Sequence, residues 1–361
     1  MFLVASPNNA IYDSASGRLL YLNEEGALLA QRLELNPPKL SGDATPVAEG
    51  VRRSLRGNHY ADISVSANGT LFFSQDRRTS RSRFVWRDRA GKELGTVGES
   101  TAAQRISLSP DAKQVAYSET KENGVSDIWV RKIPGGDSLR ITFDGGSLPK
   151  WSADGKHLYY SKRQRTIFRK PSDGSGAEEV ICDGCSDQVT SASPDGKFLL
   201  GGAVSIDSLP LEGERKPTRW QSSNFAEGQG VFSPDGRWVA YHSQESGRRE
   251  VHIQGFPDKR GKWVASQSGG SFPKWRADGK ELYWTSPAGE LMAAPIELQP
   301  SVVKVGKPEE LFRYPTAAGT VGFGVFEPAP DGRRFLATEP EGELRDPPMV
   351  VILNWAAGLV K

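Results

Sequence analysis

The sequence predicts an all-β fold, a single β-propeller of about eight four-stranded blades, with seven as the alternative count. Three observations carry this. A turn of the form Ser-Pro-Asp-Gly recurs along the chain, short runs rich in β-branched and aromatic residues flank each copy, and the copies are about 40 residues apart. A period of 40–45 residues built from short strands is the signature of a propeller blade.

The turn has a local mechanism. In "VFSPDGRWVAYHS" (Val231–Ser243), Pro234 presets φ near −65°, Asp235 can bond the backbone just ahead, and Gly236 can take a positive φ without steric cost. The apolar runs on either side then form a hairpin. One hairpin is uninformative; its recurrence specifies the architecture. Copies centre on Asn68, Asp111, Asp154, Asp195, Asp235, Asp278 and Asp331, with successive spacings of 43, 43, 41, 40, 43 and 53 residues. A degraded copy, "YDSASGRLLYL", lies at Tyr12–Leu22.

Each repeat carries four strand-like runs. In one these are Arg105–Ser109, Gln114–Ser118, Asp127–Ile133 and Ser138–Phe143. The predicted repeats span approximately 6–57, 58–103, 104–146, 147–187, 188–227, 228–269, 270–320 and 321–361, within one domain of 1–361. The last repeat ends with a third strand, Pro348–Trp355, and lacks a fourth. Phe2–Ala5 is expected to supply it, so that N- and C-terminal strands pair and no sheet edge stays open. No amphipathic helix is expected, because a Pro, a Gly or a strand phrase interrupts every window.

Composition narrows the function. Lys and Arg number 46 and Asp and Glu 44, a net charge of +2. No sign dominates, which removes the electrostatic case for nucleic acid or an anionic membrane. No stretch approaches the apolar length of a membrane span, and "MFLVASPNNA" does not have the form of a signal peptide. Cys182 and Cys185 stand alone in "ICDGCSD". With no second pair and no nearby His, a zinc site is disfavoured. A loop pair, oxidised where the compartment allows, is the favoured reading.

The phrases themselves resemble a known group. The "SPDG" turns, "DIWVRKI" and "RITF" resemble those of TolB-like and WD-repeat-like propellers. "LGTVGE", "GGSFPKWRADGKELYW", "GELMAAPIEL" and "VVILNWAAGL" are similar to the C-terminal propeller region of bacterial, especially acidobacterial, receptor-type serine/threonine kinases. The resemblance runs over essentially the whole chain. It implies a sensor or scaffold module lying outside the cytoplasm. The kinase motifs are absent from this sequence: there is no V-A-I-K, no H-R-D and no D-F-G.

Most chemistry-bearing residues have plain structural roles available to them. The repeated aspartates are turn formers. His157, His242 and His252 fall on strands and are expected as packing or surface positions, whereas His59 precedes a first strand at a channel mouth. "ETKENGVSD" (Glu119–Asp127) lacks the spacing of a calcium loop and reads as a solvated hairpin tip. Trp151 and Trp275, in two "PKW" phrases, are expected between blades, with the adjacent lysines turned toward the channel. Loops that enter first strands converge on a propeller axis, so the candidate ligand-binding residues are Tyr60, Arg105, Lys150, Gln188, Gln229 and Lys274. Plain scaffold surface is the competing reading of each.

The expectation is a non-catalytic binding module, a monomer that takes a protein or peptide partner or a small polar ligand. No catalytic residue, metal or cofactor is expected. A hydrolase or lyase working in the central channel is the alternative, and a purely structural platform is the third reading.

Overall fold

The computed structural model describes residues 9–23, 27–49, 51, 61–74, 81–121, 125–162, 165–186, 188–202, 205–221, 223–314, 326–341 and 349–359. The described chain is all β apart from one 3-10 turn, Ala357–Leu359. It divides into two compact units.

The smaller unit contains β1 (Ile11–Asp13), β2 (Arg18–Leu22), β3 (Leu28–Leu35), β4 (Pro38–Ala48), β5 (Ile63–Val65) and β6 (Leu71–Ser74). The larger begins with β7 (Ser82–Asp88) and β8 (Glu93–Thr96). Four sheets follow in sequence. They are β9 (Ala103–Leu108), β10 (Gln114–Thr120), β11 (Ser126–Lys132) and β12 (Ser138–Arg140); β13 (Ser147–Trp151), β14 (His157–Lys162), β15 (Thr166–Pro171) and β16 (Glu179–Cys182); β17 (Val189–Ala192), β18 (Phe198–Gly201), β19 (Ile206–Pro210) and β20 (Thr218–Gln221); and β21 (Glu227–Phe232), β22 (Trp238–Ser243), β23 (Glu250–Gly255) and β24 (Trp263–Val264). The fifth has β25 (Ser271–Trp275), β26 (Glu281–Thr285), β27 (Glu290–Leu298), β28 (Val303–Val305) and β29 (Glu309–Arg313). Then come β30 (Phe326–Pro328), β31 (Arg334–Pro340) and, in the smaller unit, β32 (Met349–Ile352).

These strands form eight antiparallel sheets. Six belong to the larger unit, and their innermost strands neighbour one another in the cyclic order β9, β13, β17, β21, β25, β30 and back to β9. The larger unit is thus a closed ring. Its closing sheet is composite, with strand order β30-β31-β7-β8. The sequence assigned β7 and β8 to the repeat begun by β5 and β6, and β32 to the last one. The structure exchanges them: β7 pairs with β31, and β32 pairs with β6. Burial explains the exchange. A strand inside a ring is covered on both faces, and consecutive Phe84, Val85 and Trp86 of β7 are all buried. β32 alternates exposed and half-buried positions, the pattern of a sheet covered on one side. Phe2–Ala5, the expected closing strand, lies outside the described residues.

The same logic accounts for the second strand of each sheet. All six residues of β22 and all five of β26 are buried, so these strands read as continuous apolar runs rather than alternations. Between them Trp238, Val251 and Ile253 pack with Leu282, Trp284 and Ile296 in one cluster. The recurring turn works as its residues suggest. Ser233 Oγ donates to Asp235 Oδ1 at 2.6 Å, and Asp235 accepts from Arg237 N. Trp238 N in turn donates to Ser233 Oγ at 3.0 Å. The pattern repeats at Ser109–Asp111, Ser152–Asp154 and Ser193–Asp195. Trp151 Nε1 donates to Ser107 O at 2.9 Å and Trp275 Nε1 to Val231 O at 3.2 Å. Both tryptophans therefore sit between sheets, as expected.

The smaller unit packs sheet β1-β2-β3-β4 and sheet β32-β6-β5 around Leu20, Leu28, Ala30, Leu71, Phe73 and Trp355. No helix among the described residues is long and apolar enough to cross a membrane.

Candidate functional site

The candidate site is built on the innermost strands of the ring. Five of these six strands carry an irregularity at one repeat position, whereas β30 pairs with β31 in regular register. Pairing shifts register between Ser147 and Lys150, between Gly228 and Val231, and between Ser271 and Lys274. The residue six before the turn aspartate takes a left-handed backbone at Arg105 (φ 53), Leu148 (φ 58), Gln229 (φ 55) and Phe272 (φ 57). A bulge adds a residue and re-aims the side chains beyond it. Arg105 and Gln229 thus occupy equivalent bulges, and Lys150 and Lys274 each follow one by two residues.

Two lysines meet one carboxylate. Lys274 Nζ lies 2.7 Å from Glu327 Oε1, and Lys150 Nζ lies 3.7 Å from the same oxygen. β13, which carries Lys150, neighbours β9 and β17, whereas β30, which carries Glu327, neighbours β9 and β25. Lys150 and Glu327 therefore meet past the intervening β9, on the inner side of the ring, and Lys274 reaches the same carboxylate from β25, the strand opposite β13. The three side chains are 19%, 17% and 12% exposed for Lys150, Lys274 and Glu327, so each is mostly enclosed but reached by solvent. Burial, then the charge of Lys274, push the Lys150 amine down to about 7, with Glu327 opposing.

The remaining candidates are dispersed. Gln188 is buried, with Nε2 donating to Gly202 O at 2.8 Å. Gln229 Nε2 approaches Gln188 Oε1 at 3.5 Å. Burial holds the Arg105 guanidinium down at about 10. Tyr60 and His59 lie outside the described residues. Lys150 and Lys274 come together on Glu327, and Gln188 with Gln229.

Glu327 was missing from the sequence candidates, although a signal was present. It stands four residues before Asp331, as Lys150 does before Asp154 and Lys274 before Asp278. The hairpin-tip reading of Asp127 is corrected by the structure. Its side chain is fully buried, held by Lys121 at 2.5 Å and Arg140 at 2.7 Å. His242 and His252 are buried among strands. Cys182 and Cys185 are joined as a disulfide.

No family model matches the chain. It is 27% identical over 254 residues to the uncharacterized protein Atu1656 of Agrobacterium fabrum, a match covering 63% of this chain and 82% of that protein. It is 29% identical over 251 residues to dipeptidyl-peptidase 5 of Trichophyton schoenleinii. That match covers 60% of this chain but only 34% of the enzyme, so the chain spans about a third of the peptidase. Among solved structures, the putative TolB from Agrobacterium tumefaciens superposes with a TM-score of 0.55 at 18% identity, covering 73% of this chain and 99% of that one. At that identity the likeness is one of fold, and the fold is a TolB-like β-propeller.

Proposed function

We propose that the protein is a binding propeller, a sensor or scaffold module whose ring axis takes a small polar ligand or a peptide without chemical turnover. The observation that supports this best is the meeting of Lys150, Lys274 and Glu327, from three innermost strands, at an enclosed but solvent-reached point. Enclosed pockets with a few converging polar groups are the usual ligand sites of a fold. The resemblance of its phrases to the propeller region of bacterial receptor-type kinases supports a sensory role, and fold alone does not decide it.

The test is a thermal-shift screen of the purified chain against sugars, nucleotides, metals and short peptides. A ligand at 100 times its Kd stabilises the folded state by about 2.7 kcal/mol, a rise of several degrees. The expected hit disappears in Lys150→Ala and Lys274→Ala. A hit that persists in both moves the site elsewhere. A second reading, participation in a peptidase, rests on the identity with dipeptidyl-peptidase 5. Release of a chromophore from dipeptidyl p-nitroanilides by the purified chain would favour that reading over the first.

A further inference from the structure

The meeting of Lys150, Lys274 and Glu327 is unbalanced in charge. Glu327 offers one negative charge to two amines. Lys274 takes the short contact at 2.7 Å, and Lys150 is left at 3.7 Å, beyond hydrogen-bond length. Enclosed charges are costly unless paired and hydrogen-bonded. With both amines protonated, the shortfall is one negative charge, and it falls at Lys150.

We propose that Lys150, Lys274 and Glu327 form a binding site for a single carboxylate group, borne by a small organic acid or by a peptide C-terminus, with Lys150 as its main partner. This rests on the binding role proposed above and names the chemistry of the ligand. A monoanion matches the shortfall. A phosphate dianion would leave negative charge facing Glu327, and a metal cation would face two ammonium groups.

Proton uptake is the second part of the site. Near neutrality the Lys150 amine is divided between its two forms, because burial and Lys274 lower its affinity for a proton while Glu327 opposes them. A carboxylate beside it favours the ammonium form. Binding above pH 7 is therefore accompanied by a proton taken from solution onto Lys150 Nζ. Glu327 plays the opposite part, since its carboxylate competes with the ligand for Lys274.

The test is calorimetric titration of the full chain with three probes, namely acetate, trialanine with a free C-terminus, and trialanine amide. Each is run at pH 8 in two buffers of different ionisation enthalpy. The expected result is binding of the acids but not of the amide, with uptake approaching one proton per ligand. Glu327→Gln is expected to tighten acid binding about tenfold by removing the competing charge. Lys150→Met is expected to weaken it at least about tenfold and abolish the proton uptake. Trialanine acid binding more tightly than acetate identifies a peptide end as the source; equal affinity identifies a free acid. Equal binding of acid and amide overturns the carboxylate assignment while the binding role stands. Weaker acid binding in Glu327→Gln also overturns the assignment, as does the absence of heat with both acids. Failure of the wider ligand screen is a separate result and counts against the binding role itself.

Discussion

Arg87 and Glu339 are 252 residues apart in sequence and joined by two hydrogen bonds, Nε to Oε1 and, at 2.8 Å, Nη2 to Oε2. They stand on β7 and β31, the two strands that join the beginning and the end of the ring. Arg87 also donates to Gly91 O at 2.7 Å, in the hairpin that continues β7 into β8. The pair is mostly buried, with side chains 16% and 5% exposed. Its placement fastens the one sheet of the ring whose strands are not consecutive.

Removing one partner leaves the other charge enclosed and unpaired. Arg87→Ala is expected to cost about 3 kcal/mol, measured by urea denaturation. The double variant Arg87→Met/Glu339→Leu is expected to recover part of that loss. A single variant of unchanged stability would show that the pair does not hold the closing sheet.

Ala112 occupies the turn position where the other copies have glycine, and its φ is 56°. Gly155, Gly196, Gly236 and Gly279 take φ of 70–74° at the equivalent point. A left-handed backbone costs an L-residue roughly 1 kcal/mol. Ala112→Gly is therefore expected to stabilise the protein by up to about 1 kcal/mol despite the added chain entropy. A lower melting midpoint in that variant would contradict the account of the turn.

Burial, with a smaller contribution from Arg249, pushes the His242 imidazole down to about 3. The unfolded chain binds a proton there near pH 6.5 and the folded chain does not. Stability at this group is thus full above pH 6.5 and is lost as pH falls toward 3, by up to about 1.4 kcal/mol per pH unit. His252 acts in the same direction, its imidazole also lowered by burial first. Denaturation midpoints between pH 7 and 5 should fall in the natural protein and flatten in His242→Leu. An unchanged slope in that variant would exclude His242 as the source.

Lys150 is expected to cost stability rather than supply it. Its amine is lowered to about 7 in the folded protein, against about 10.4 in an unfolded chain. Stability should therefore rise as pH increases from 7 toward 10. Lys150→Met should be more stable than the natural protein at pH 7, by about 1 kcal/mol or more. A destabilised Lys150→Met would assign Lys150 a structural role in place of a binding one.

Local chemistry was legible in the sequence wherever it repeats. The Ser-Asp hydrogen bonds of the turns, the strand phrases and the interblade tryptophans follow from residue types at fixed offsets. Strand partnership at the closing sheet was not legible. β7 and β32 are both strand-like, and only burial on both faces separates them. Left-handed Arg105 and Gln229 carry no glycine to announce them. The burial of Asp127 depends on Arg140, which reaches it from the neighbouring strand. Glu327 shares the repeat register of Lys150 and Lys274, four residues before the turn aspartate, but it lies on β30 rather than in a loop that enters a first strand.

The central claim is that Lys150 binds a carboxylate only as an ammonium. The most direct measurement is the Kd of trialanine acid from pH 6 to 9 by calorimetry. Affinity should be flat below pH 7 and then weaken by up to about tenfold per pH unit above it, with the break lost in Lys150→Met. An affinity independent of pH across that range, or a break retained in Lys150→Met, would contradict the account.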